Sequence, residues 1–380
     1  MAKRQTKVLI LGGTGAMGTS LVNLLSDMEE ISQIVVTSRQ DRKSEGKVKY
    51  IKGNALDISF ITTLLAEQKW NVIVDFMAYG TEEFSQRYSI FLENCDQYIF
   101  TSSCRVYNKC DDEINEQTGR LLDSCKDEEY LKTDDYALSK ARQEDLLFQS
   151  PKKNYTIIRP SITYNSYKLQ LGVLEKENWL YRAMHGRDIV FSRDIADKLT
   201  SFTCGTDVAR AMCSIIGKSD ALGEVFHITY PKSYTWEQIL EVYLNTIEKI
   251  CGRRPNVVFT DKTTCFKANW NKYQIIYCRY FNRRFNNEKI AKYIDIGDFV
   301  DIENGISECL AEFFLKPQFG NINWVLEAVN DRVCKQYTPL KEIASTELKI
   351  KYICYRYGLG IAWKIIAKSL RIIKRMCGNV

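Results

Sequence analysis

Tyr136 and Lys140 stand four residues apart in Tyr136-Ala137-Leu138-Ser139-Lys140, which opens a helical pattern continued by Leu146 and Leu147. Residues at that spacing share a helical face, so a phenol and an ammonium can point into one cleft. A free phenol has a pKa of about 10 and serves as a base near neutral pH only beside positive charge, which a neighbouring lysine can supply. The same spacing also arises by accident on solvated helices, so the pair needs partners elsewhere. Ser102 and Ser103 close an apolar run that begins at Tyr98; a hydroxyl there either steadies a developing oxygen charge or caps the strand end. Near the N-terminus, Val8 to Leu11 run straight into Gly12-Gly13-Thr14-Gly15-Ala16-Met17-Gly18. Glycines at 12, 15 and 18 let the chain turn tightly, approach a pyrophosphate and pack the following helix against its strand. The helix N–H groups are then free for the phosphates.

The elements that must position these groups follow in order. Val8–Leu11, Ile34–Ser38, Val48–Ile51, Val72–Ala78, Tyr98–Thr101, Thr156–Pro160 and Val225–Thr229 read as short buried strands, with helical patterns between most of them. Strands alternating with helices predict an α/β fold built on a doubly wound parallel sheet. The second strand ends in Thr37-Ser38-Arg39, about 20 residues past the glycines, where such a fold meets the adenosine ribose. A guanidinium beside a hydroxyl suits a 2′-phosphate, so Ser38 and Arg39 favour NADP(H) over NAD(H), the alternative being a solvated Arg39. Asp57 can cap the next helix. Residues 109 to 132, rich in Asp, Glu and Lys, read as an exposed loop.

Taken together, the Gly-x-x-Gly-x-x-Gly turn, Ser-Ser-x-x-Val-Tyr ending at Tyr107, and Tyr136-x-x-x-Lys140 resemble the extended short-chain dehydrogenase/reductases, with the likeness covering about residues 1 to 260. The resemblance implies a Rossmann fold and a smaller substrate domain. It also implies NAD(P)-dependent chemistry on a nucleotide-activated sugar through a keto sugar, as an epimerase or reductase. Tyr136 would then be the base, Ser103 would hold the substrate hydroxyl and Lys140 the nicotinamide ribose, with Gly12, Thr14, Gly15, Ala16, Met17, Gly18, Ser38, Arg39 and Asn54 around the cofactor. Arg159-Pro160 is similar to the family's segment beside the nicotinamide, and Asp207-Val208-Ala209 to a segment whose acid is structural. The 4,6-dehydratases carry acids after the serine motif, where this chain has Cys104-Arg105, which disfavours dehydration. Some relatives bind RNA instead, which gives the alternative reading of a non-catalytic RNA- or partner-binding protein.

The implied domains are 1–164 with 203–230 returning to it, a substrate domain of 165–202 and 231–330, and a helical extension of 331–380. Within 261–316, Tyr277 to Phe285 interleaves bases with aromatics, read first as packing and only then as a nucleic-acid or nucleotide contact, so no specific nucleic acid is expected. Thirteen cysteines without a C-x-x-C pair and only two histidines, His185 and His227, point to reduced thiols and away from a metal centre. No long uncharged apolar stretch and no cleavable leader are read, so a cytoplasmic location is expected. The net charge of +6 belongs to the tail: eight Lys and Arg follow Glu347, the last acid. There Ile361, Ile365, Ile366, Leu370 and Ile373 recur at helical spacing, with Lys364, Lys368, Arg371 and Arg375 on another side. Such a basic amphipathic helix suits either an anionic membrane surface or a protein partner, a homodimer included.

Overall fold

Seven runs rich in Val, Ile and aromatic residues give seven parallel strands; those inside the sheet are largely buried, while Val48–Lys52 at its edge stays partly exposed. The computed structural model describes residues 5–361 together with 363 and 367. The strands are β1 (Thr6–Leu11), β2 (Ile31–Ser38), β3 (Val48–Lys52), β4 (Trp70–Asp75), β5 (Cys95–Thr101), β6 (Tyr155–Pro160) and β7 (Glu224–Ile228). Their spatial order is β7-β6-β5-β4-β1-β2-β3. The direction of strand order reverses beside β1, and the crevice at the carboxyl ends there is where such sheets bind ligands. Helices α1 (Ala16–Asp27), α2 (Ile58–Ala66), α3 (Tyr136–Gln149) and α4 (Gly205–Ile215) cover this sheet. The expected doubly wound parallel sheet is the one observed.

The chain divides into two units. The first is Met1–Lys168, Leu199–Tyr234 and Phe281–Cys309; the second is Leu169–Lys198, Thr235–Tyr280 and Leu310–Val380. Residues 281–309 thus belong with the sheet, whereas the sequence places them in the substrate domain. The reason is polar: Arg283 donates to the Tyr107 and Asn108 carbonyls at 3.0 Å each, and Asp207 at the start of α4 accepts from the Val300 amide at 2.8 Å. The loop of 109–132 is also less exposed than expected, because Ile114, Leu121 and Tyr130 anchor it in the core.

In the second unit, α5 (Trp236–Cys251) starts at a reciprocal Thr235–Gln238 capping box and stops at Gly252, whose φ of 68° needs glycine. Helices α6 (Trp324–Cys334) and α7 (Thr346–Arg356) meet through Asp331, which takes the Arg182 guanidinium at 2.8 Å and the Tyr352 hydroxyl at 2.7 Å. The segment expected to be a separate extension from residue 331 therefore begins inside a buried polar network. Most of the basic amphipathic stretch beyond Ile361 lies outside the described residues. No described helix is long and apolar enough to cross a membrane.

Glu144 on α3 decides how that helix sits. Its side chain is fully buried and takes Arg159 of β6 through two bonds, at 2.8 and 2.7 Å, with Arg120 at 3.4 Å and the Ser102 hydroxyl at 2.6 Å. Replacing Glu144 by Gln leaves a buried guanidinium short of its counter-charge, which costs about 3 kcal/mol or more. Thermal unfolding of Glu144→Gln should show a large fall in Tm; an unchanged Tm would mean that the cluster does not anchor the helix.

Candidate functional site

The glycine turn is built as the spacing requires. Gly12 has a φ of 69°, and its N–H donates to the Thr37 hydroxyl at 3.1 Å, which ties the turn to the end of β2. A Cβ on Gly12 would lie 2.7 Å from the Met77 sulfur, and one on Gly18 would lie 2.6 Å from the Gly13 backbone, so α1 can approach the turn only because Gly18 is bare. Gly15 differs: a Cβ there would meet nothing within 4 Å. Gly15 caps α1 without a side-chain bond, no acid occupies the first turn, and Thr14 and Gly15 are exposed. The opening amides, Ala16 and Met17 among them, have no helical acceptor and suit an anion.

The adenosine end departs from expectation. Ser38 is buried, and its hydroxyl is engaged with its own turn, donating to the Gln40 carbonyl at 2.8 Å and accepting from the Gln40 amide at 3.2 Å. Arg39 is exposed. Asn54 is also exposed and uses its carbonyl oxygen to accept from the Leu56 amide at 3.2 Å, which leaves the amide NH2 as the group that faces outward. Asp57 caps α2 through the Ser59 amide at 2.9 Å.

Ser103 and Tyr136 come together. Ser103 ends the run after β5 with its hydroxyl beside the Tyr136 phenol, and its oxygen accepts from the Arg105 amide at 3.2 Å. It is thus both strand-end cap and partner of the phenol. Tyr136 begins α3 behind its N-cap, Asp135, which accepts from the Ala137 amide at 3.2 Å. Although Tyr136 is 41% exposed as a residue, burial of its hydroxyl end pushes the phenol above its ordinary pKa. The nearby Arg105 guanidinium and the Ser103 hydroxyl oppose that shift.

Lys140 lies on the same face of α3 but sends its ammonium inward. It is 2% exposed, donates to the Met77 carbonyl at 3.3 Å and sits 4.6 Å from the centre of the Phe100 ring. Burial pulls it down to about 8 against the pull of Asp75 and Glu144. Asp75 at the end of β4 is itself buried, which raises its pKa, and it accepts from the Met77 amide at 2.9 Å and the Tyr98 hydroxyl at 2.8 Å. The cation that faces Tyr136 is Arg105, whose guanidinium carbon lies 5.1 Å from the ring centre.

Arg105, Asp75 and Met77 were missed from sequence; the one available signal was a base placed between the serines and Tyr107. Arg159 is no wall of the site: it lies between Glu144 and the Tyr107 ring, whose centre is 4.7 Å away. In the aromatic and basic stretch, Arg279 bonds the Gly172 carbonyl at 2.9 Å, so packing is the use observed there, as it is for Arg283. No group of metal-ligating side chains occurs among the described residues.

No protein-family model matches the chain. Among curated proteins it is similar to the chloroplast stem-loop binding protein of 41 kDa b from Arabidopsis thaliana, 26% identical over 253 residues and 62% of each chain. It is also similar to dTDP-D-glucose 4,6-dehydratase from Dictyostelium discoideum, 27% identical over 180 residues, 40% of this chain and 41% of that one. The chain therefore matches less than two thirds of the length of either relative. Among solved structures, dTDP-glucose 4,6-dehydratase from Bacillus anthracis in complex with NAD superposes with a TM-score of 0.59 at 18% identity, over 82% of this chain and 97% of that one. UDP-glucuronic acid 4-epimerase from Bacillus cereus, in complex with UDP-glucuronic acid and NAD, gives 0.60 at 15% identity, over 81% and 100%. Both hold NAD, which overturns the preference for NADP(H) drawn from Ser38 and Arg39. The physical reason is local, since the Ser38 hydroxyl is already committed to Gln40 and Arg39 stands in solvent.

The depressed Lys140 value has a definite sign. Between about 8 and the usual lysine range, the unfolded chain keeps a proton that the folded one has released, so stability rises with pH there and falls as pH drops through 8. Lys140→Met should therefore gain more in Tm over wild type at pH 7 than at pH 10, read by calorimetry. An equal difference at both values would mean that the ammonium is not penalised by burial.

Proposed function

We propose that this chain, which has the fold of the extended short-chain dehydrogenase/reductases, oxidises and re-reduces a nucleotide-activated sugar with NAD. The observation that carries the reading is the Ser103–Tyr136 hydroxyl pair at the carboxyl edge of the sheet, in the same unit as the open glycine turn. The turn fits the cofactor: the bare face at Gly15 and the amides of Ala16, Met17 and Gly18 would hold its diphosphate, Asn54 the adenine side and Lys140 the nicotinamide ribose. When bound, NAD supplies hydride acceptance from a sugar carbon and hydride return.

The chain's own residues manage the proton. Tyr136 takes it from the substrate hydroxyl as the carbon is oxidised and gives it back on reduction. Ser103, its oxygen fixed by the Arg105 amide, keeps its hydrogen for the oxygen on which charge develops. Elimination of water would need an acid and a base beside this pair. The flanking positions instead carry Cys104, whose thiol is buried against the Arg159 carbonyl at 3.0 Å, and the cationic Arg105. That supports epimerisation over dehydration, and the leaning toward a net reductase goes with NADP(H).

Similarity to a stem-loop binding protein favours one second reading, RNA binding. Charge-driven RNA binding would weaken steeply with salt. A peripheral membrane contact through the tail remains part of our proposal, supported by the eight terminal bases and by Ile361, 78% exposed, at the end of the described chain.

Tyr136→Phe should lower turnover by about 10² or more, with NAD affinity within about twofold of wild type by calorimetric titration, since the lost hydroxyl is a proton carrier and not a cofactor ligand. Acid-released nucleotide from purified protein should be NAD. Full turnover in the variant would remove the base, and stem-loop RNA held equally by wild type and variant, with no turnover in either, would favour the second reading. A chain ending at Gly360, which spares Tyr352 and its bond to Asp331, should lose sedimentation with anionic vesicles while keeping turnover; retained binding would rule out the tail as the anchor.

A further inference from the structure

Lys140 is the residue whose position leads one to expect it to charge the phenol, yet its ammonium bonds the Met77 carbonyl and lies over Phe100, deep in the sheet. We propose that Arg105, two residues past Ser103, is the positioning residue that supplies the charge acidifying Tyr136 and at the same time sets the Ser103 hydroxyl. The proposal rests on the reading of Tyr136 as a base.

Three contacts support it. The guanidinium lies over the Tyr136 ring, 5.1 Å from its centre. The same residue's backbone amide donates to the Ser103 oxygen at 3.2 Å, so that oxygen is occupied as an acceptor and its hydrogen is left to donate beside the phenol, to the substrate oxygen. Asp135 in turn holds the guanidinium, at 3.4 Å, while capping α3 and accepting from the Tyr130 hydroxyl at 3.2 Å. The charged and titratable groups around the phenol are therefore Arg105 from the turn after β5, Asp135 from the helix cap, Tyr130 from the preceding segment and Lys140 from α3 itself. Of these, the only cation over the ring is Arg105. Arginine stays charged throughout the working pH range and stacks on aromatic faces, whereas the Lys140 ammonium is turned away to the Met77 carbonyl. One residue thus controls both hydroxyls, through its amide and its side chain.

The test compares wild type, Arg105→Gln and Arg105→Lys in two ways. The acid limb of the turnover profile should move up by about one pH unit or more in Arg105→Gln and return part of the way in Arg105→Lys, with turnover recovering at high pH. A merely structural loss would lower turnover equally at all pH. Separately, carbon NMR of ring-labelled tyrosine, with the Tyr136 resonance assigned by its absence in Tyr136→Phe, should show the phenol titrating higher in Arg105→Gln. If wild type turns over and neither limb nor resonance moves, Arg105 has no such role and the enzymatic reading stands. If the resonance moves but no nucleotide sugar is turned over by wild type, the charge effect is upheld and the enzymatic reading fails.

Discussion

A carboxylate that water cannot reach determines where the Ser103 and Tyr136 hydroxyls meet. Glu144 draws Arg159 from β6, Arg120 from the loop and the Ser102 hydroxyl to one buried point on α3. Ser102 precedes Ser103, and Glu144 lies two helical turns beyond Tyr136. Fixing one pair therefore fixes the other. A buried charge satisfied from three elements leaves few alternative positions for the helix, because any slip would strand guanidinium or carboxylate without a partner.

Around that anchor the structure separates two positive charges that sequence spacing alone would place together. Lys140 is drawn toward Asp75 and the Met77 carbonyl, on the side of the glycine turn. Arg105 stays with Tyr136 at the outer end. The inner cation is held by a backbone carbonyl over the Phe100 ring, and the outer one lies over the phenol. The ion pair with Asp135 keeps the outer charge in place without burying it fully, since the Arg105 side chain retains 19% exposure.

Much of the sheet was legible because buried parallel strands leave apolar runs, as at β1 and β4, whereas the edge strand β3, with Lys49 and Lys52, is partly exposed and leaves a weaker one. The glycines were legible for a sharper reason: at Gly12 and Gly18 a methyl group would collide, so sequence and geometry admit a single answer. The boundaries of the second unit were not legible, because they are set by polar links such as Arg283 to the Tyr107 carbonyl, which join residues 176 apart in the chain and leave no local pattern. The cofactor reading from Arg39 failed for a related reason, since a side chain's identity does not tell whether it faces a ligand or water. Arg105 was hidden in the same way: its importance lies in a ring contact with a residue 31 positions further along.

The Met77 thioether, lying where a Cβ on Gly12 would go, has a bearing on how this protein can change over generations. Trimming at 77 would make room but would not relieve the positive φ at 12, so glycine is held there by backbone conformation as well as by the thioether. The side chain at 77 can therefore drift while its peptide goes on serving Asp75 and Lys140, whereas position 12 cannot.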